Sequence, residues 1–164
     1  KLWRSAWYKD VGPTVSLRRG QQVEHQALVL LLAQRSGAVV PDLLAVGIAG
    51  ARDDALLVVR NPPGRPLAGL DPAVIDDGIL DDVWANLDRL HRAGIAHGDL
   101  SAYNLLWWEG LLWFIDFPQS IDIAANMQGL DFLHRDVLNV CGWFQHRGLD
   151  IDAEETFADL LSFL

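Results

Sequence analysis

Two short stretches decide the fold of this chain: HGDLSAYNLLW, residues 97–107, and FIDFPQS, residues 114–120. They place three side chains that carry carboxylate or amide oxygens, Asp99, Asn104 and Asp116, among apolar neighbours. A carboxylate is costly beside apolar groups unless something pairs with it, and a divalent cation is a common partner. The two stretches therefore indicate a site for a metal ion.

The spacing of these side chains suits one kind of chemistry. Asp99 and Asn104 lie five residues apart in a loop, so Asp99 can face a substrate hydroxyl while the Asn104 oxygen faces a metal ion. Asp116 follows a β-type run and supplies an anionic ligand. Phosphoryl transfer from ATP requires this set, because the acceptor must be positioned and Mg²⁺ must neutralise charge on the phosphates.

The composition narrows the class of protein. With 164 residues, 51% of them hydrophobic, the chain can form one domain with a sizeable core, or part of a larger one. The net charge of −9 argues against a large, sequence-independent nucleic-acid footprint, since such a footprint needs clustered Lys and Arg. The single cysteine, Cys141, excludes an internal disulfide and suits a reducing compartment, so we expect a cytoplasmic location. No apolar run reaches the length of a membrane span.

Periodicity and turn residues predict the order of the elements. Helical spacing of apolar residues predicts five helices, at residues 2–8, 21–34, 81–92, 127–145 and 153–164. Runs typical of β-strands predict two hairpins, one from residues 43–49 and 55–59 and one from residues 105–108 and 111–115. The Pro- and Gly-rich stretch RNPPGRPL, residues 60–67, is typical of an extended linker. This order indicates an α+β arrangement in two unequal lobes.

Three sequence blocks resemble one family. H-G-D-L-S-A-Y-N, residues 97–104, resembles the catalytic loop of the protein-kinase-like fold, and specifically the H-x-D-L-S-x-Y-N of the RIO family of atypical kinases. I-D-F-P-Q-S, residues 115–120, is similar to the RIO metal-binding loop, in which I-D-x-x-Q replaces D-F-G. Residues 130–152 are similar to the RIO helix that carries an F-L-x-R-D-V run. Three blocks in the right order over residues 83–152 make the match specific.

The resemblance implies a fold and its boundaries. It implies an α+β, protein-kinase-like fold with two lobes, a partial N-lobe and a small RIO-type C-lobe. Residues 1–60 would form the partial N-lobe with helix C, residues 61–67 the hinge, and residues 68–164 the C-lobe with the catalytic and metal-binding loops. The first 80 residues match much less closely than the rest. They also resemble kinase-like modules appended to bacterial membrane proteins of the lysylphosphatidylglycerol synthase type, which implies tethering to a membrane protein in a longer chain.

The resemblance also implies roles for individual residues, with ATP and Mg²⁺ as cofactors. Asp99 would be the catalytic carboxylate, and Asn104 and Asp116 would hold Mg²⁺. Glu24 would be the helix-C glutamate that pairs with an ATP-anchoring lysine, and the hinge would offer backbone groups to adenine. The residues assigned to nucleotide binding are Glu24, Val59, Asn61, Ser101, Asn104 and Asp116.

The first part of the chain departs from the family pattern. No glycine-rich phosphate loop precedes Glu24, and neither Lys1 nor Lys9 lies in a strand pattern suited to anchoring ATP. We therefore expect the phosphate loop and its lysine to lie upstream of residue 1. On this expectation the chain is N-terminally truncated and turns over ATP poorly by itself. The alternative is a degenerate kinase that never had these parts.

The predicted function is transfer of the γ-phosphate of Mg-ATP to a protein serine or threonine, or ATP hydrolysis at the same site. One alternative is a small-molecule kinase of the aminoglycoside-phosphotransferase type, which shares H-G-D and the D-x-x-x-x-N spacing. Ser101 and Tyr103, together with Pro118 and Gln119, favour the RIO family over that alternative. The second alternative is a pseudokinase that serves as a binding module.

Several polar residues also have structural interpretations. His97 is expected to bond to the backbone and hold its loop, and Arg135–Asp136 to form a buried ion pair or a helix cap. The acidic cluster at residues 76–82 is expected to be a solvated helix start. Glu24 can equally be a first-turn charge that complements the helix dipole.

Overall fold

The computed structural model describes residues 19–50 and 54–162, so the predicted helix at residues 2–8 lies outside it, as do Lys1 and Lys9. The helices in these ranges are α1 (Arg19–Arg35), α2 (Asp77–Arg92), α3 (Gly129–Gln145) and α4 (Ala153–Ser162). The strands are β1 (Asp42–Ala49), β2 (Asp54–Arg60), β3 (Arg65–Pro66), β4 (Ile95–Ala96), β5 (Leu105–Trp108), β6 (Leu111–Phe114) and β7 (Ile121–Asp122). Short 3₁₀ turns lie at Leu67–Gly69 and Pro72–Val74. No helix in the described ranges is long and apolar enough to cross a membrane.

The smaller half of the molecule consists of α1, β1 and β2. The predicted first hairpin is confirmed, because β1 and β2 pair antiparallel, with an irregularity between Leu43 and Ala45. α1 packs against both strands. Its buried residues recur at helical spacing, so one face of the helix is apolar: Ala27, Val29, Leu30 and Ala33.

The larger half begins at β3, inside the predicted linker. Arg65 and Pro66 pair with Trp107 and Leu106 of β5, so the linker without regular structure is only residues 61–64. A two-residue strand is too short to show a period-2 pattern, which is why the sequence did not reveal it.

Helix α2 starts four residues before its predicted start at residue 81 because Asp76 caps it. The Asp76 side chain accepts the Ile79 backbone N–H at 3.0 Å, as N-cap residues do. The expected solvated helix start is thus confirmed, with Asp76 as its capping member. The helix ends before Gly94, whose φ of +74° suits a glycine after a helix C-terminus.

The second predicted hairpin is also confirmed. β5 and β6 pair antiparallel around Glu109 and Gly110, which both have positive φ, at 49° and 74°. Two left-handed central residues match the right-handed twist of the flanking strands. β5 also pairs with β3, so β5 is the central strand of a three-stranded sheet.

One hydrophobic cluster runs through both halves. From α1 and the segment between α1 and β1 come Val29, Leu30, Ala33, Ala38 and Val40. The largest fully buried members of the larger half include Leu67, Leu87, Leu90, Leu105, Phe114, Leu133 and Phe144. α3 packs against β4 and α4, and its Cys141 is buried, as expected for a small core residue.

The segment between α1 and β1 attaches the smaller half to the larger one. Val39 donates its backbone N–H to Asn86 Oδ1 at 2.6 Å. The Val39 carbonyl accepts from Asn86 Nδ2 at 3.1 Å and from the Phe114 backbone N–H at 3.0 Å. Asn86 is 1% exposed, so these bonds satisfy a buried amide. The two halves are therefore joined at Val39 as well as through the linker.

Candidate active site

Two loops carry the predicted site residues, and strands hold both ends of each loop. The 97–104 loop runs from β4 to β5, and the 115–120 loop runs from β6 to β7. β4 pairs with β7 and β5 pairs with β6, in both cases antiparallel. The two loops are therefore fixed side by side.

A buried carboxylate on α3 holds the 97–104 loop. The Asp136 oxygens accept the backbone N–H groups of Gly98 at 2.8 Å and Leu100 at 2.9 Å. Burial raises the pKa of Asp136 to about 6, against the opposing effects of these hydrogen bonds and of Arg135. Arg135 donates to the Gly98 carbonyl. An ion pair or a helix cap was expected here, and both side chains instead bind the loop backbone.

Gly98 allows the two loops to touch. Its φ is +80°, a conformation that L side chains rarely adopt. A Cβ at this position would collide with the backbone carbonyl oxygen of Gln119 in the other loop. Glycine is thus required here both for its conformation and for the close approach.

His97 has the structural role expected of it. The residue is fully buried, and its Nε2 lies 2.9 Å from the Ile115 carbonyl oxygen. Because a carbonyl only accepts, Nε2 carries the hydrogen. The ring packs on Phe117 with 4.7 Å between centroids. Burial lowers the pKa of His97 to about 4, so the imidazole is neutral at physiological pH.

Asn104 is oriented by bonds within its own loop. Its Nδ2 donates to the Asp99 carbonyl at 2.7 Å, and its backbone N–H donates to the Ser101 carbonyl at 2.9 Å. Its own carbonyl accepts the Ile115 backbone N–H at 3.0 Å, which ties the two loops together. Since Nδ2 is engaged, Oδ1 is the side-chain atom that Asn104 offers to a ligand.

Asp116 lies in the left-handed region, with a φ of 69°. Asp tolerates this conformation better than most residues, but it remains uncommon and occurs often at functional sites. The residue is exposed, directly after the Ile115 backbone that bonds to Asn104. The described ranges contain no group of three or more His, Cys, Asp or Glu side chains that could hold a metal ion.

A cavity of about 330 Å³ brings together residues from both halves. Four predicted residues line it, Val59 and Asn61 from β2 and the linker, and Asn104 and Asp116 from the two loops. Apolar side chains such as Leu57 complete the lining. A largely apolar pocket with a few convergent polar groups is the usual form of a small-molecule site.

Three predicted residues do not line this cavity. Glu24 is exposed and lines a separate cavity of about 120 Å³ with Val46 and Ile48 of β1. Asp99 and Ser101 are half-buried in the 97–104 loop, where their carbonyls bond to Asn104.

Sequence reasoning missed other residues of the site. Gln26 lines the large cavity, and helical spacing with Leu30 and Ala33 would have placed it on the buried face of α1. Asp136 gave no comparable local signal, because its partners Gly98 and Leu100 lie far away in the sequence.

Solved structures identify the fold. A Rio2 kinase–ADP/Mg²⁺–phosphoaspartate complex from Chaetomium thermophilum matches 85% of this chain and 44% of its own, with a TM-score of 0.65 and 18% identity. WaaP in complex with acyl carrier protein matches 87% of this chain and 66% of its own, with a TM-score of 0.62 and 18% identity. The chain therefore has the predicted protein-kinase-like fold.

Sequence comparison gives the family. The model of the RIO domain matches residues 52–157. RIO-type serine/threonine-protein kinase Rio1 of Haloferax volcanii is 42% identical over 137 residues, which are 76% of this chain and 42% of that protein. Rio1 of Thermoplasma acidophilum is 37% identical over 90 residues, 55% of this chain and 47% of that protein. This chain belongs to the RIO domain family, and it spans less than half the length of these two relatives.

Proposed function

We propose that this chain forms the nucleotide- and metal-binding part of a RIO-type kinase, which transfers the γ-phosphate of Mg-ATP to a serine or threonine. The observation that carries the proposal is the large cavity, where Val59 and Asn61 face Asn104 and Asp116. The backbone at the end of a strand suits an adenine ring, and the two oxygen-bearing side chains suit metal-bound phosphates. The two relatives are named serine/threonine kinases, and the Rio2 complex contains ADP, Mg²⁺ and a phosphoaspartate.

The donor set at this cavity fits Mg²⁺. Asn104 Oδ1 and the Asp116 carboxylate are hard oxygen donors, and Mg²⁺ in phosphoryl-transfer sites is usually held by one or two protein groups plus phosphates and water. Bound there with ATP, the ion would neutralise charge on the phosphates. The loop geometry suits this site, since Asn104 lines the cavity and its Nδ2 is already engaged with the Asp99 carbonyl, which leaves Oδ1 for a ligand.

Asp99 would orient the acceptor hydroxyl and take its proton. Its loop is fixed by Asp136 on one side and by Asn104 on the other, which limits how far the carboxylate can move. Ser101 would contact the phosphates from the same loop. Positioning of this kind supplies much of the catalysis in phosphoryl transfer.

The roles of the two carboxylates can be separated by a pair of variants in the full-length protein. Asp116→Asn should remove most Mg²⁺-dependent ATP binding and turnover together, as measured by calorimetry and phosphate release. Asp99→Asn should leave ATP binding nearly intact and lower turnover by roughly 10²–10⁴, the effect of losing a positioned general base. Asp159→Asn, an exposed change in α4, is the matched control and should behave as wild type. Full activity in the Asp99→Asn protein, or unchanged Mg-ATP affinity in the Asp116→Asn protein, would contradict the assignment.

One observation favours a second function, a pseudokinase that binds nucleotide without turnover. Glu24 is the proposed partner of an ATP-anchoring lysine, yet it is exposed and lies outside the large cavity. The full-length protein discriminates between the two functions. Nucleotide binding without turnover supports the binding module, and turnover that depends on Glu24 supports the kinase.

The proposal also covers the lobe boundaries of the chain, its cellular location and its phosphoryl acceptor. Residues 1–60 would form the partial N-lobe, residues 61–67 the hinge and residues 68–164 the C-lobe. The proposed location is the cytoplasm, where ATP is supplied. Tethering to a membrane protein is one arrangement of the full-length chain, and the phosphoryl acceptor is a protein or, alternatively, a small molecule.

A further inference from the structure

We propose that His25 is a positioning residue for Asp116, because its side chain ties α1 to the 115–120 loop. This inference rests on the proposed function, since it assigns to His25 a role in presenting a metal ligand. It concerns a residue that neither the sequence motifs nor the cavity lining includes.

The tie is a single long-range hydrogen bond. His25 is half-buried in α1, and its Nε2 lies 2.7 Å from the carbonyl oxygen of Ser120, 95 residues away. The carbonyl can only accept, so Nε2 is the donor. Both the protonated ring and the neutral Nε2–H form can donate, so the bond does not require His25 to be charged.

Ser120 is firmly connected to the backbone that follows Asp116. It is 2% exposed, and both its backbone N–H, at 3.2 Å, and its Oγ, at 2.7 Å, donate to the Phe117 carbonyl. Residues 117–120 therefore form a closed turn directly after Asp116. Any displacement of the Ser120 carbonyl moves this turn.

The position of Asp116 depends on its backbone. Among the described residues, no group donates a hydrogen bond to the Asp116 carboxylate, so within this part of the chain the loop backbone determines where the carboxylate lies. The backbone is held on one side by the bond from Ile115 to Asn104 and on the other side by the turn at Ser120. The His25 bond adds to the β4–β7 pairing that begins at Ile121, and together they restrain the side of the loop that Asn104 does not.

The geometry of α1 fits this role. The next residue, Gln26, lines the cavity together with Asp116, so this part of the helix lies at the cleft. A change at His25 should therefore affect the metal-dependent part of nucleotide binding. It should not affect the proposed contacts of the adenine ring with Val59 and Asn61, because these two residues belong to a different part of the cavity lining.

The test compares ADP binding with and without Mg²⁺ in the full-length protein, by calorimetry, with melting temperatures recorded in parallel. His25→Ala removes the donor. His25→Gln places an amide N–H at about the reach of Nε2, whereas His25→Asn is too short to reach Ser120. Gln22→Ala, an exposed change one turn away in α1, is the matched control.

The Ala and Asn variants should lose about five- to tenfold in Mg²⁺-dependent ADP affinity, the size of one hydrogen bond. Their affinity for ADP without Mg²⁺ should stay within about twofold of wild type, because the change leaves the contacts of the adenine base untouched. The Gln variant should recover most of the loss, and the Gln22→Ala control should match wild type.

Three outcomes would overturn the inference. One is a wild-type Mg²⁺ dependence in the Ala and Asn variants. Another is equal loss in the Gln and Asn variants, and the third is a loss that appears equally without Mg²⁺ and follows the melting temperature. A wild-type protein that binds ADP with no Mg²⁺ dependence would instead overturn the proposed function, and this inference with it.

Discussion

The pH dependence of stability tests how the 97–104 loop is anchored. The change is Asp136→Asn, which keeps the shape of the side chain and removes its charge. At neutral pH two effects oppose each other. The amide offers one acceptor oxygen to two backbone N–H groups, at a cost of about 1–3 kcal/mol, while the cost of a buried charge disappears. The free energy of unfolding at pH 7 should therefore stay near the wild-type value.

The size of the pH effect on the free energy of unfolding follows from the pKa values of two buried groups at the loop, Asp136 and His97. The pKa of Asp136 is about 6 in the folded protein against 3.8 for a free side chain, so the folded state binds this proton more tightly than the unfolded state. Protonation of Asp136 therefore contributes to the free energy of unfolding. That contribution is complete below about pH 4 and is lost as the pH rises to about 6, a change of roughly 3 kcal/mol. The lowered pKa of His97, about 4 against 6.5, acts in the opposite direction. Its contribution is complete above about pH 6.5 and is lost as the pH falls to about 4, by a similar amount.

In the wild-type protein these two contributions largely cancel between pH 4 and pH 6. Asp136→Asn removes one of them and leaves that of His97. Relative to wild type, the free energy of unfolding of the variant should therefore fall by roughly 2–3 kcal/mol between pH 7 and pH 4. Urea titrations followed by tryptophan fluorescence at four pH values measure it, with Asp159→Asn as the control for an exposed carboxylate. Parallel pH curves for wild type and Asp136→Asn would refute the reasoning, because Asp136 would then not titrate in this range.

Two further predictions concern the contacts that join the parts of the site. Gly98→Ala should lower the free energy of unfolding by roughly 2–4 kcal/mol, because it combines a left-handed φ with a backbone collision. Gly94→Ala is the comparison. Gly94 also has a positive φ, but a Cβ there meets nothing within 4 Å, so this change should lower the free energy of unfolding less. Equal losses in the two variants, by urea titration, would show that the loops are not in close contact. Asn86→Ala should cost roughly 2–4 kcal/mol because it leaves the Val39 N–H without its partner. The exposed Asn139→Ala should cost under half as much, and a similar loss for both would contradict the buried link.

The parts of the fold that sequence predicted are those with local signals. The β5–β6 hairpin was readable because Glu109 and Gly110 separate two apolar runs, and its turn has the expected left-handed residues. Helix α2 was readable from its apolar period, but its start was placed late because which of several aspartates caps a helix is decided by geometry. The sequence motifs of the two loops, residues 97–104 and 115–120, were readable because the family is defined by short contiguous blocks.

The parts that sequence did not predict depend on contacts across the chain. From the sequence, Asp136 is expected to pair with the neighbouring Arg135. Only the fold brings its carboxylate oxygens to the backbone of Gly98. His25 looks like an isolated histidine, because its partner is 95 residues away. The family resemblance implied a role for Glu24 in the nucleotide site, and only the structure shows that this residue is exposed on α1 and lines the smaller cavity.

The link at Val39 limits how the cleft can open. The smaller half is attached at the linker, residues 61–64, and again at Val39, so a rotation that keeps both attachments has only one axis, the line through them. Sliding and twisting of the halves would break the Val39 bonds. The His25–Ser120 bond adds a third attachment between the smaller and the larger half. Opening of the cleft would therefore have to break the His25–Ser120 bond as well as the contacts of the hydrophobic cluster that both halves share.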